Sequence, residues 1–177
     1  MSNAIEYRTV TTVGATKAIK VAFKRKRPVF LWGPPGIGKS EVVDGITNEM
    51  SGIMYDLRLG QMDPTDLRGM PYYNKETGMM DWAPPIDLPT PEIAAQYPIV
   101  VLFLDEMNAA PASVQAAAYQ LILNRRIGKY VLPDNVVVIA AGNRESDKGV
   151  TYRMPTPLAN RFIHIEMRAD FEAWLDW

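Results

Sequence analysis

The stretch Gly33-Pro34-Pro35-Gly36-Ile37-Gly38-Lys39-Ser40, entered from the apolar run Pro28 to Trp32, decides the fold. It meets the spacing GxxxxGKS in full, and Val42, Val43, Ile46 and Met50 behind it repeat at helical intervals. Each position has a physical reason. Glycines at 33, 36 and 38 let the backbone curl so that successive amide hydrogens point inward at phosphate oxygens, and the following helix offers its positive end. Lys39 supplies the cation for the β- and γ-phosphates, and Ser40 supplies a hydroxyl for Mg²⁺. Gly33 through Glu41 is therefore read as the segment that grips a nucleoside triphosphate. A glycine-rich turn before an ordinary helix is the bland alternative, and the strand and helix on the required sides weigh against it.

A second signature lies downstream, where Ile99 to Leu104 (IVVLFL) ends in Asp105-Glu106. Six apolar residues without alternation suit a parallel strand covered on both faces, and ligands bind at the carboxyl ends of such strands. Asp105 is placed to join Ser40 around Mg²⁺, and Glu106 to polarise an attacking water. An acidic pair after a strand can also be a solvated loop or a helix cap. Beside a complete phosphate-binding loop, the catalytic reading prevails.

Composition bounds the remainder. With 177 residues, 47% of them hydrophobic, the chain can bury one sizeable core, and nothing in it implies two independent domains. A formal net charge of −1 gives no general attraction to nucleic acid or to an anionic membrane, and no apolar stretch approaches the roughly 20 residues that span a bilayer. No signal peptide appears, so a cytoplasmic location is expected. The absence of cysteine excludes disulfides and thiolate metal sites, and a single histidine, His164, excludes a histidine-rich zinc centre.

Along the chain, Ala15, Ala18, Ile19, Ala22 and Phe23 fall on one helical stripe, with Lys17, Lys20 and Lys24 on another. The cluster Lys24 to Arg27 reads better as cations complementing a helix C-terminus than as a nucleic-acid patch. Ile53 to Leu59 predicts a second strand, and Val114, Ala117, Ala118, Leu121 and Ile122 predict a helix over Ala112 to Asn124. Val136 to Ala141 (VVVIAA) is another continuous apolar strand, which delivers Gly142-Asn143 to the same rim as Asp105. Phe162 to Met167 alternates, as an edge or half-exposed strand does, and His164 is read there as a partly exposed strand residue rather than a catalyst. The whole is an α/β pattern.

In this order, GPPGIGKS, LDEMNAAPASVQAAAYQLILNRR, IAAGN and PLANRF resemble the AAA+ ATPases, and within them the MoxR-like branch, related to the dynein-type modules. The resemblance covers most of the chain and implies a five-stranded parallel sheet in the order 5-1-4-3-2 within residues 1–169. It makes Asn143 similar to the sensor that reads the γ-phosphate. It makes Arg161 similar to the arginine projected into a neighbour's site, with Arg153 as runner-up. It implies ATP and Mg²⁺ as cofactors, a homo-oligomer that is commonly a hexameric ring, and a protein client or adaptor carrying a von Willebrand A-like domain. The chain reads AGN where the family commonly has TQN before the sensor position. Residues 170–177 (DFEAWLDW) look like the start of a connection to a helical lid that is absent from this chain.

Between the second strand and Asp105 the chain is too long for a plain connection. DPTDLRG predicts a short helix after Asp63, and Met70-Pro71-Tyr72-Tyr73, a turn at Asn74 to Gly78, and Met79-Met80-Asp81-Trp82 predict a hairpin. MoxR-like proteins resemble this in carrying an insertion on the pore or substrate side of a ring. Its aromatic and methionine residues suit adaptable contacts and equally fill small cores, so both readings stand. Arg125 to Pro133 predicts a second, shorter hairpin around Gly128. A switch GTPase is disfavoured because the nearest match to NKxD, Asn74-Lys75-Glu76-Thr77, lacks the aspartate and precedes Asp105. A metabolite kinase needs neither the Asp-Glu pair nor the terminal arginine. A nucleotide-gated scaffold with little turnover, or a nucleic-acid-directed motor of the same family, is the alternative to a motor that remodels a partner protein.

Overall fold

Continuous apolar runs become neighbouring parallel strands here because each must be covered on both faces. The computed structural model describes residues 9–144, 152, 154 and 156–168. Its main sheet contains β1 (Thr9–Val10), β2 (Val29–Trp32), β3 (Ile53–Arg58), β6 (Val100–Asp105), β9 (Val136–Gly142) and β10 (Ile163–Met167). They lie in the order β1-β10-β2-β9-β6-β3, and every pairing is parallel. Without β1, this is the order 5-1-4-3-2. The sixth strand is an addition to the expected five: Thr9 and Val10 pair with Glu166 and Met167. Two residues carry no readable period, so sequence pattern alone does not reveal them. β10 is consequently not a plain edge, since Glu166 is paired on both sides and Met167 with β1, while Ile163 and His164 at its start stay exposed.

Alternate residues of each strand feed two cores. Phe30, Val100, Leu102, Leu104, Val138 and Ala140 face one, which α5 (Ala112–Asn124) closes with Val114, Ala117, Ala118 and Leu121. Val29, Leu31, Val101, Phe103 and Ile139 face the other, closed by α1 (Thr12–Lys24) through Ala15, Ile19, Ala22 and Phe23 and by α2 (Lys39–Glu49) through Val43 and Ile46. Burying one side chain such as Phe103 contributes about 1.5–3 kcal/mol, so these layers dominate the stability. The Lys20–Glu49 ion pair that bridges α1 and α2 is exposed and worth at most about 1 kcal/mol. Lys24 sits in the last turn of α1, as its helix-complementing reading requires.

The long connection after β3 is built as predicted. α3 (Pro64–Arg68) starts with Asp63 and Asp66 capping one another's backbone, and β4 (Met70–Asn74) pairs antiparallel with β5 (Met79–Ala83). β7 (Arg126–Ile127) and β8 (Tyr130–Val131) form the second hairpin. A short α4 (Pro91–Ala94), which apolar spacing does not signal, precedes β6. An ion pair between Asp81 and Lys129 ties the two hairpins together, and the Lys129 hydrogen bond holds the Asp81 carboxyl below its usual range. The Tyr130 hydroxyl donates to Pro89 O at 2.6 Å, and burial raises its pKa. Of the two readings of the first hairpin, the structure favours the exposed one: Tyr73 is 60% and Met80 64% exposed, opposite each other on one face. Among the described residues no helix is long and apolar enough to cross a membrane.

Candidate functional site

Strand register brings the site together. Trp32 pairs with Gly142 and Leu104 with Ala140, so the segments leaving β2, β6 and β9 emerge side by side at the carboxyl edge of the sheet. The loop after β2 turns through Gly36 and Gly38 at φ of 75° and 83°, a region a side chain disfavours. Gly38 caps α2 without a side chain, which leaves first-turn amides directed at the cleft for an anion.

That cleft, ≈ 190 Å³, is lined by Pro35, Gly36, Gly38, Lys39, Ser40 and Glu41 from the loop and α2 and by Asp105, Glu106 and Asn143 from the ends of β6 and β9. The buried Lys39 ammonium donates to Gly33 O at 2.8 Å, Pro34 O at 3.1 Å and Asn143 Oδ1 at 3.1 Å. Gly33 and Pro34 therefore hold the lysine rather than line the cleft, and Ile37 packs against the core under α2. Ser40 Oγ donates to Glu41 Oε2 at 3.1 Å.

Asp105 closes β6, and its Oδ1 accepts the Glu106 N–H at 2.8 Å. Glu106 itself has φ 54°, a left-handed conformation that costs a non-glycine residue roughly 1 kcal/mol or more and that recurs where side chains are aimed for function. Negative charge is concentrated here. The Asp56 carboxyl on β3 is raised above its usual range, first by desolvation, then by the charges of Asp105 and Glu41, with Arg58 opposing. A cation placed among these oxygens would relieve that repulsion.

Arg161 does not line the cleft. It is exposed in the turn after α6 (Thr156–Ala159), and Phe162, packed edge-on against Phe30 with ring centroids 5.4 Å apart, anchors the chain beside it. Arg153 and residues 170–177 lie outside the described residues. His164 is exposed, as expected, yet both ring nitrogens are engaged. Nδ1 accepts from Trp32 Nε1 at 2.9 Å, which leaves Nε2 to donate to Ala159 O at 2.7 Å. The histidine thus fastens the end of α6 to the strand that enters the phosphate loop.

One contact invisible to sequence reasoning is Asn108, buried in the turn between β6 and α5, whose side chain bonds the backbone of Asn143. The only signal was the unexplained glycine before Asn143.

Comparison with known proteins agrees with this architecture. Midasin from Giardia intestinalis is 27% identical over 175 residues, a match covering 94% of this chain and 4% of midasin. A candidate ATPase from Cytophaga hutchinsonii superposes with a TM-score of 0.67 at 22% identity, covering 95% of this chain and 50% of that one. A RuvB mutant from Thermotoga maritima superposes with a TM-score of 0.53 at 20% identity, covering 86% of this chain and 42% of that one. The chain thus spans half or less of each of these proteins, and the two structures speak for the fold alone. Residues 29–168, from the first residue of β2 to the residue after β10, match the ATPase family associated with various cellular activities, and the chain belongs to that AAA family.

Proposed function

We propose that this chain binds ATP with Mg²⁺ and hydrolyses it within an oligomeric, MoxR-like assembly that remodels a partner protein. The observation that carries this reading is the Lys39 ammonium, held between the loop carbonyls and Asn143 in a cleft that Asp105 and Glu106 also line. The donor set fits the cofactors: amides and an ammonium for phosphate oxygens, a hydroxyl at Ser40 and a carboxylate at Asp105 for Mg²⁺. Bound Mg²⁺ would neutralise phosphate charge.

The chain's own groups do the rest by position. Lys39 exchanges its carbonyl partners for phosphate oxygens, Glu106 orients water, Asn143 contacts the γ-phosphate, and Arg161 of a neighbouring copy stabilises the charge that develops. The exposed face of Tyr73, Met80 and Trp82 suits a protein client, and a von Willebrand A-like adaptor is the partner that the MoxR resemblance favours.

Calorimetric titration of wild type and Lys39→Ala with Mg·ATP tests the nucleotide reading. Removing a charged donor worth about 1.5–3 kcal/mol is expected to weaken ATP binding by roughly 10- to 150-fold. A folded Lys39→Ala protein with wild-type affinity would refute the assignment.

A further inference from the structure

Asn108 stands three residues beyond Asp105 and is 5% exposed. Both ends of its carboxamide serve one residue: Nδ2 donates to Asn143 O at 2.7 Å, and Oδ1 accepts from Asn143 N at 3.2 Å. Beside it, the Met107 amide donates to Ala141 O at 2.9 Å. Residues 107 and 108 therefore continue the β6–β9 ladder past the end of β6, with a side chain taking over where the backbones part.

Gly142 is shaped to the same contact. A Cβ at that position would stand 2.3 Å from Asn108 Oδ1 and 2.9 Å from Phe30 Cζ, so any side chain there evicts the carboxamide or displaces the ring. This accounts for the AGN sequence: glycine precedes Asn143 because Asn108 crosses there. With its N–H and C=O both clamped, Asn143 cannot pivot about its backbone, and its Oδ1 stays on Lys39 Nζ at 3.1 Å.

We propose that Asn108 is a positioning residue for turnover, acting through Asn143 by fixing the direction of its side chain toward the terminal phosphate. The proposal rests on the nucleotide-site reading above. Its physical content is orientational: a misplacement of about 1 Å in a reacting constellation can cost on the order of 10²-fold in rate. Release of the clamp frees Asn143 to swing while the phosphate loop keeps its own contacts.

The test is a double-mutant cycle on the full chain, with phosphate release at saturating Mg·ATP and calorimetric ATP affinity as readouts. Asn108→Ala is expected to lower kcat by about 10- to 100-fold, with ATP affinity changed by less than roughly 3-fold. Adding Asn108→Ala to Asn143→Ala is expected to cost nothing further, because one residue acts through the other. Asn108→Asp fills the same space but sets an acceptor against Asn143 O, so it carries the same test if the alanine variant does not fold. Multiplicative losses, or a fall in melting temperature with kcat per folded molecule unchanged, would mean a structural role only and overturn the proposal. A wild type that binds ATP and turns it over, with Asn108 variants equally active, removes this inference and leaves the nucleotide reading intact. A wild type that binds no nucleotide removes both.

Discussion

Glu106→Gln is expected to leave ATP bound and to stop its turnover. Glutamine keeps the volume and the sp² geometry of the side chain, and the Glu106 N–H that reaches Asp105 Oδ1 at 2.8 Å belongs to the backbone, so the turn survives the exchange. What disappears is the carboxylate proposed to hold and polarise a water in the cleft that Lys39 also lines. Loss of a positioned general base costs typically 10²–10⁴-fold, and turnover is expected to fall within that range. Affinity is expected to stay within about 3-fold of wild type, because the anion-binding groups sit on the loop and α2. Calorimetry and phosphate release on the purified variant separate the two effects. Near-normal hydrolysis would remove Glu106 from the water-orienting role.

This separation was legible in the chain because each half of the site is a local pattern. GPPGIGKS states its own turn chemistry, and IVVLFL and VVVIAA state their burial on both faces, so the strands β2, β6 and β9 and their shared rim follow from runs of a few residues. Helix α5 runs from Ala112 to Asn124 as its apolar spacing predicts. What was not legible depends on pairing between distant residues. β1 exists only because Thr9 and Val10 find Glu166 and Met167, and two residues carry no period of their own. Asn108 carries no local pattern of its own, and its role follows only from the register that places it against Asn143, 35 positions away. His164 likewise read as a bystander, although its ring spans Trp32 and Ala159. The departure at AGN was visible in the sequence, but its cause lay in a side chain from another strand's end.

Mixing two inactive proteins is expected to recover activity, and this second result bears on assembly. Arg161 is exposed, outside the lining of its own cleft, on a turn stiffened from both sides: Asn160 N donates to Thr156 O at 3.1 Å, and Phe162 is buried against Phe30. On the reading proposed above, an arginine carried on this turn and absent from its own cleft is expected to act on the phosphate of a neighbouring copy. Arginines supplied in trans are worth about 10³–10⁵ in turnover, so Arg161→Ala alone is expected to lose roughly that much while still binding ATP. Lys39→Ala is expected to fail for the other reason, with its arginine intact and its phosphate grip lost. In a ring closed by head-to-tail contacts, each site joins one subunit's loop to the next subunit's arginine. Random 1:1 exchange therefore makes about a quarter of the interfaces competent, with an intact Lys39 facing an intact Arg161. Recovery toward that fraction of wild-type turnover, read by phosphate release with native mass measurement to establish mixed oligomers, is the expected outcome. Mixed oligomers without recovered turnover would place the function of Arg161 within its own subunit, and a chain that stays monomeric with Mg·ATP at every concentration would remove the ring itself.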